Sequence, residues 1–215
     1  MAHISQGCSW RGAELTCKGV PPGRYPLSLT PHAMAYVDSL LQKRNETAGG
    51  LGIDFQNGEL NIVQTAVTRG KRDTVGIPRG VILPWHSHPG KCPPRGNDCA
   101  LDVPSDADMA LVLEDCMHGS WAHTIFAHTG TFTVSLTPQL RQHLDALSGQ
   151  ARKQAEKQIE KRFADIHRSF EKKLQAGDID LERFRPQWMD LARETGFDAT
   201  FFPKGVVPHL TMIVS

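Results

Sequence analysis

The sequence has no excess of charge of either sign. Its 24 Lys and Arg stand against 23 Asp and Glu, a net charge of +1, which leaves no broad basic field of the kind that holds nucleic acid by displacing counterions. Nucleic acid is therefore not an expected partner. Nor does any stretch approach the roughly 18 to 20 uninterrupted apolar residues that a membrane-spanning helix requires, so no membrane association is expected. The opening residues Met1-Ala-His-Ile-Ser-Gln-Gly7 lack the charged-then-apolar pattern of a secretory signal, and the expectation is an intracellular, cytoplasmic protein. Cysteine is scarce and odd in number, with five residues at Cys8, Cys17, Cys92, Cys99 and Cys116. An odd count without a secretory signal does not read as a disulfide framework, and the thiols are expected to be mostly reduced.

What is present is ordinary for a globular chain, with 40% hydrophobic and 22% charged residues over 215 positions. That is enough for one buried core with an appendage and short for two full domains. Residues 1–26 carry Gly, Pro and two cysteines with little periodicity, and Val20-Pro-Pro-Gly-Arg-Tyr-Pro26 reads as a loop. This stretch is a lead-in segment to a domain at 27–140, which an extension at 141–215 follows.

Within the domain, Thr30 and Pro31 supply an N-cap and a first helical residue. Met34, Val37, Leu40 and Leu41 follow at helical spacing, predicting a helix to Arg44. Residues 47–55 and 59–67 read as a hairpin turning at Gln56-Asn57-Gly58. The run Gly80-Val-Ile-Leu-Pro-Trp-His-Ser-His-Pro89 suits a buried strand that opens into a cleft, and Ser105 caps a helix to Met117. Two further strands at 121–128 and 130–136 complete an α/β core. In the extension, Ile159, Phe163, Ile166, Phe170 and Leu174 form one stripe of a long helix at 147–175 that stops at Gly177. Such a stripe packs on the chain's own core or serves a partner or self-association. A shorter helix around Pro186 to Glu194 and a strand from Val206 end the chain.

The chemistry lies in three places. His86 and His88 are two apart, so on a strand both imidazoles face the same side and can grip one ion. Alone, that spacing more often belongs to surface or hydrogen-bonded histidines. Ser105-Asp-Ala-Asp108 sets a hydroxyl and a carboxylate one helical turn apart, which lets Asp108 act as a third ligand. Three protein ligands with an open fourth position form a catalytic rather than a structural zinc site, because the water must exchange. Glu46, at a helix-to-strand junction, fits the carboxylate base that such a water needs.

Together, Glu46-Thr-Ala-Gly-Gly-Leu-Gly52, His86-Ser-His-Pro89 and Ser105-Asp-Ala-Asp108 resemble the Glu, His-x-His-Pro and Ser-x-x-Asp signature of the JAMM metalloproteases, the catalytic members of the MPN domain superfamily. The resemblance covers residues 27–137. It implies an MPN domain, with a mixed β-sheet flanked by helices, to which the helical extension read above is joined at the C-terminus. It further implies one catalytic zinc ion on His86, His88 and Asp108, Glu46 as general base, and Ser105 as the donor that stabilises the oxyanion. The implied reaction is cleavage of isopeptide or peptide bonds at the C-terminus of ubiquitin or a ubiquitin-like modifier. Two alternatives are a prokaryotic-type JAMM peptidase acting on a small sulfur-carrier or ubiquitin-like protein, and a non-catalytic MPN scaffold joined to partners through the 147–175 helix.

One departure stands out. His88 and Asp108 are 20 residues apart, about twice the family's usual spacing, so the segment from Gly90 to Val103 holds an insertion beside the ligands. Cys92 and Cys99 flank its middle. It is a candidate substrate-binding element, a lid or a second ion site, or else a plain solvated loop. With Cys8 and Cys17 the insertion's cysteines make four, but neither pair has the tight gap of a zinc knuckle. His118, His123 and His128 read as core-edge or surface histidines rather than ligands. Trp85 is expected on the strand face opposite His86, and Asp106 is expected to point away from the site.

Overall fold

The computed structural model describes residues 8–11, 14–71, 74–89, 103–179 and 181–215. In chain order the elements are β1 (Cys8–Arg11), β2 (Glu14–Cys17), β3 (Gly23–Ser28), α1 (Pro31–Leu41), β4 (Thr47–Gln56), β5 (Glu59–Arg69) and β6 (Leu83–Ser87). There follow α2 (Asp106–Met117), β7 (His123–Ala127), β8 (Gly130–Leu136), α3 (Pro138–Asp145), α4 (Gly149–Ala176), α5 (Leu181–Glu194), β9 (Phe197–Pro203) and β10 (His209–Val214). The described residues thus form a mixed α/β fold. Its main sheet has the order β5-β4-β6-β7-β8-β9. Neighbours are antiparallel except β6 and β7, which are parallel and joined through α2. That crossover brings the C-terminal end of β6 close to the N-terminus of α2, the place where open α/β sheets collect ligands.

Local chemistry explains most of these elements. Thr30 accepts a hydrogen bond from the Ala33 backbone N–H and caps α1, with Pro31 in the first turn. The hairpin of β4 and β5 turns on Asn57 and Gly58, both with positive φ, the conformation for which Asn-Gly is favoured. Gly130 meets another demand: a Cβ there would collide with the Phe202 carbonyl oxygen and the Phe201 ring, so β9 can lie against β8 only with glycine at that position.

Two expectations are corrected. The stretch before residue 27 is not a structureless lead-in, because β1 and β2 form a hairpin and Val20 to Pro26 runs into β3. Leu15, Cys17 and Val20 are buried, and β3 pairs with β10. The Trp10 ring covers the Arg141 guanidinium at 3.8 Å. That guanidinium donates to the Cys116 and Ser120 carbonyls at the end of α2, which ties the hairpin to the core. The second correction concerns Cys8 and Cys17, which are joined in a disulfide. The hairpin register sets them directly opposite each other, a proximity that counting cysteines does not reveal. Cys116 is a free, buried thiol, and Cys92 and Cys99 lie outside the described residues. The cysteine count therefore gives no support to a reducing compartment. Among the described residues no helix is long and apolar enough to cross a membrane.

The long helix α4 ends where Gly177 takes a left-handed conformation, its N–H donating to the Leu174 carbonyl and that of Asp178 to Lys173, a glycine stop of the usual kind. Its stripe packs on the chain's own core. Phe163 and His167 are buried, and Ile159, Ile166, Phe170 and Leu174 lie against α2 and α5 residues including Val112, Phe184 and Trp188. The helix expected from Pro186 begins earlier, at Leu181, with Pro186 inside it. The fully buried Phe184 and Trp188 on either side hold the helix in spite of the N–H that proline lacks. Helix α3 and strand β9 have no counterpart in the sequence reading. Trp85 packs with Phe126 and α1 on the face away from His86, as expected.

His167 is stacked on Phe163 with ring centroids 5.6 Å apart, and among the described residues neither of its ring nitrogens has a hydrogen-bond partner. Burial lowers its pKa below the usual histidine value, although Glu171 pulls the other way. The unfolded chain therefore binds this proton at a higher pH than the folded one, so stability falls as pH drops below about 6.5. In urea unfolding at pH 7.5 and 5.5, His167→Leu should lose less stability between the two pH values than the unaltered chain.

Candidate metal centre

Strand β6 delivers His86 on its buried face and leads directly into His88. Both are almost fully buried, and the His88 backbone N–H donates to the Phe126 carbonyl on β7. Helix α2 delivers Asp108 through a reciprocal cap. Ser105 Oγ accepts from the Asp108 N–H at 3.1 Å, while Asp108 Oδ2 accepts from the Ser105 N–H at 2.7 Å and from Ser105 Oγ at 2.8 Å. These bonds satisfy orphan donors of the helix N-terminus and leave Asp108 Oδ1 turned to His86. The turn is anchored from the far end of the chain, because Trp188 Nε1–H on α5 donates to the Pro104 carbonyl at 3.0 Å.

Among the described residues, His86, His88 and Asp108 form a group whose ligand atoms all lie within 4.8 Å of one another, placed to hold a metal ion. His86 Nε2 is 3.0 Å from Asp108 Oδ1 and 3.0 Å from His88 Nε2, and His88 Nε2 is 3.4 Å from Asp108 Oδ2. Zinc-to-ligand lengths of about 2.0–2.2 Å in a tetrahedron separate the ligands by about 3.3 Å, so the donor set and its spacing fit such an ion. The two imidazoles are enclosed, while the Asp108 side chain keeps 15% exposure.

The electrostatics favour a cation. Burial pushes the His86 pKa down to about 4 in spite of Asp108 beside it, so near neutral pH the ring presents a lone pair rather than a charge. Burial alone would raise the Asp108 pKa, but the two histidines, His86 foremost, more than reverse this and hold it well below the carboxylate range. Cys116, further along α2, is not one of the converging groups, and burial pushes its thiol up to about 12.

Glu46 is buried immediately before β4. Its backbone N–H donates to the Lys71 carbonyl, and its own carbonyl accepts from the Gly70 N–H. Ala48 lies opposite His86 in the β4–β6 register, two residues after Glu46. Ser87 locks this junction, since its Oγ accepts from the Thr47 N–H at 3.0 Å and donates to the Thr47 carbonyl at 3.2 Å. Glu46 is not one of the three converging ligands. A cavity of about 420 Å³ opens beside it, lined by Lys43, Arg44, Asn45, Glu46, Thr47, Arg69 and Gly70.

Asp106 turns away from the group toward Arg168 on α4, and His118 is an exposed residue bonded to the Glu114 carbonyl at the end of α2. The insertion at 90–103 falls outside the described residues except for Val103, which is buried in the core. One residue overturns its sequence reading. His123 is neither at the core edge nor on the surface: it is fully buried, with Nε2 2.8 Å from His86 Nδ1 and Nδ1 2.9 Å from Asp115 Oδ2. A histidine opening an apolar strand was the available signal, but its partner is 37 residues away, and local spacing does not reach that far.

No family model matches the chain, and no curated protein matches it either.

The cap joining Ser105 to Asp108 makes a direct prediction. Ser105→Ala should cost about 1 kcal/mol in guanidinium unfolding, and Ser105→Thr, which keeps a capping hydroxyl, should recover most of that loss.

Proposed function

We propose that the chain is a zinc-dependent metallo-isopeptidase of the JAMM type on an MPN-like fold, cleaving isopeptide or peptide bonds at the C-terminus of ubiquitin or a ubiquitin-like protein. The observation that carries this reading is the convergence of His86, His88 and Asp108 within 4.8 Å, two imidazoles and one carboxylate at the end of a buried strand. The order and spacing of Glu46, His86-Ser-His-Pro89 and Ser105-Asp-Ala-Asp108 supply the family, and the mixed sheet flanked by helices is compatible with it.

Bound there, zinc supplies Lewis acidity that lowers a water's pKa to about 7 and polarises a carbonyl. The protein's own groups do the rest. His86, His88 and Asp108 hold the ion. Glu46 is the base that takes the proton from the attacking water and returns it to the leaving amine, a role suited to a buried glutamate two residues before the strand position that pairs with His86 and not itself a ligand. Ser105 has a single hydroxyl proton, which it donates to Asp108, so service to an oxyanion means exchanging that bond for one to the substrate. A donor so placed can be worth roughly 3 to 4 kcal/mol.

Cleavage of ubiquitin dimers and ubiquitin-like fusions by the zinc-loaded chain, with and without a chelator, tests the reading. Chelator-sensitive cleavage is the expected result, and a chain that binds no zinc would overturn it. Glu46→Gln should keep zinc, measured by metal analysis, and lose at least about a hundredfold in turnover, whereas His88→Ala should lose the metal itself.

A further inference from the structure

The environment of His86 continues inward. Asp115 Oδ2, His123 Nδ1, His123 Nε2 and His86 Nδ1 follow one another at 2.9 Å and 2.8 Å across the imidazole of His123, and His86 Nε2 then faces Asp108 and His88 at 3.0 Å each. The chain of groups runs from the last turn of α2, through the first residue of β7, to the end of β6. His123 has no exposed surface, and Asp115 is buried.

Proton bookkeeping gives this chain a direction. A carboxylate has only lone pairs to offer, so the proton in the first bond sits on His123 Nδ1. Neutral His123 then carries a lone pair on Nε2, and the proton in the second bond must come from His86 Nδ1. With a metal ion at the point shared by His88 and Asp108, that leaves the His86 Nε2 lone pair to bind it. The reverse polarity needs a doubly protonated His123, a cation with no exposed surface, which is costly to bury. Metal-binding histidines commonly give their far N–H to a carboxylate or carbonyl, and such partners affect affinity by about 10- to 100-fold.

We infer that Asp115 and His123 are positioning residues for the metal centre, fixing His86 through two successive hydrogen bonds in the form whose Nε2 is free to bind an ion. This rests on the metal reading above and extends it one layer into the core. His123 acts as a spacer that lets a carboxylate on α2 set the proton on a strand too far away for it to touch directly.

Two measurements on the full-length chain test the inference. Nitrogen-15 NMR of the zinc-loaded protein reads the histidine tautomers, and His86 is expected with its proton on Nδ1 and zinc on Nε2. Chelator competition then gives zinc affinity. Asp115→Asn, nearly identical in shape, allows an N–H to face His123 Nδ1 and reverse the whole chain; it should weaken zinc about 10- to 100-fold. His123→Gln, which keeps an acceptor for His86 and a donor for Asp115, should lose much less than His123→Leu. Thermal melting of each metal-free variant checks that it folds, and Asp115→Asn decides alone if His123→Leu does not. Zinc affinity in Asp115→Asn equal to that of the unaltered chain, or a zinc-loaded His86 with its proton on Nε2, would overturn this inference and leave the metal site standing. An unaltered chain that takes up no zinc overturns both.

Discussion

Two imidazole nitrogens and a carboxylate held at about 3 Å repel one another unless a proton or a metal ion stands between them, and much of the surrounding structure holds these three groups in place. The parallel pairing of β6 with β7 forces a crossover through α2, which carries Asp108 to the end of the strand that carries His86 and His88. The Ser105 cap fixes the carboxylate, and Ser87 ties β6 to the β4 junction where Glu46 begins. The apolar packing around Met109, Val112 and Phe163 supplies the rigidity this needs. Without that mass behind it, α2 could rotate and relieve the crowding.

The parts of the site that the sequence made legible are those with local signatures. His-x-His has the period of a strand, Ser-x-x-Asp has the spacing of a helix cap, and Asn-Gly marks the β4–β5 turn; each is written within four residues. The hidden parts are long-range. His123 meets His86 only because β7 lies beside β6, and Trp188 reaches Pro104 across most of the extension. The disulfide between Cys8 and Cys17 was hidden for the same reason, since it depends on a hairpin that low periodicity concealed. Helix α3 and strand β9 escaped notice because one is two turns long and the other sits between a helix stop and the final strand, with neither offering a long pattern to count.

The extension is built into the fold. Strand β9 completes one edge of the main sheet, α4 and α5 lay Phe163, Phe184 and Trp188 into the core behind α2, and the Trp188 indole grips the turn from which the Asp108 helix starts. The residues that support the metal group are therefore spread over most of the chain, while those that touch it are few.

The pairing of β3 with β10 has a consequence for biosynthesis. Strand β3 leaves the ribosome well before β10, its partner, is made. At about 5–20 residues per second the nascent chain carries an unpaired strand edge for on the order of ten seconds or more. During that interval Tyr25 and Leu27, which β10 will cover, are open to other strands. The β3–β10 sheet thus closes only once β10 emerges, as the last strand of the sequence.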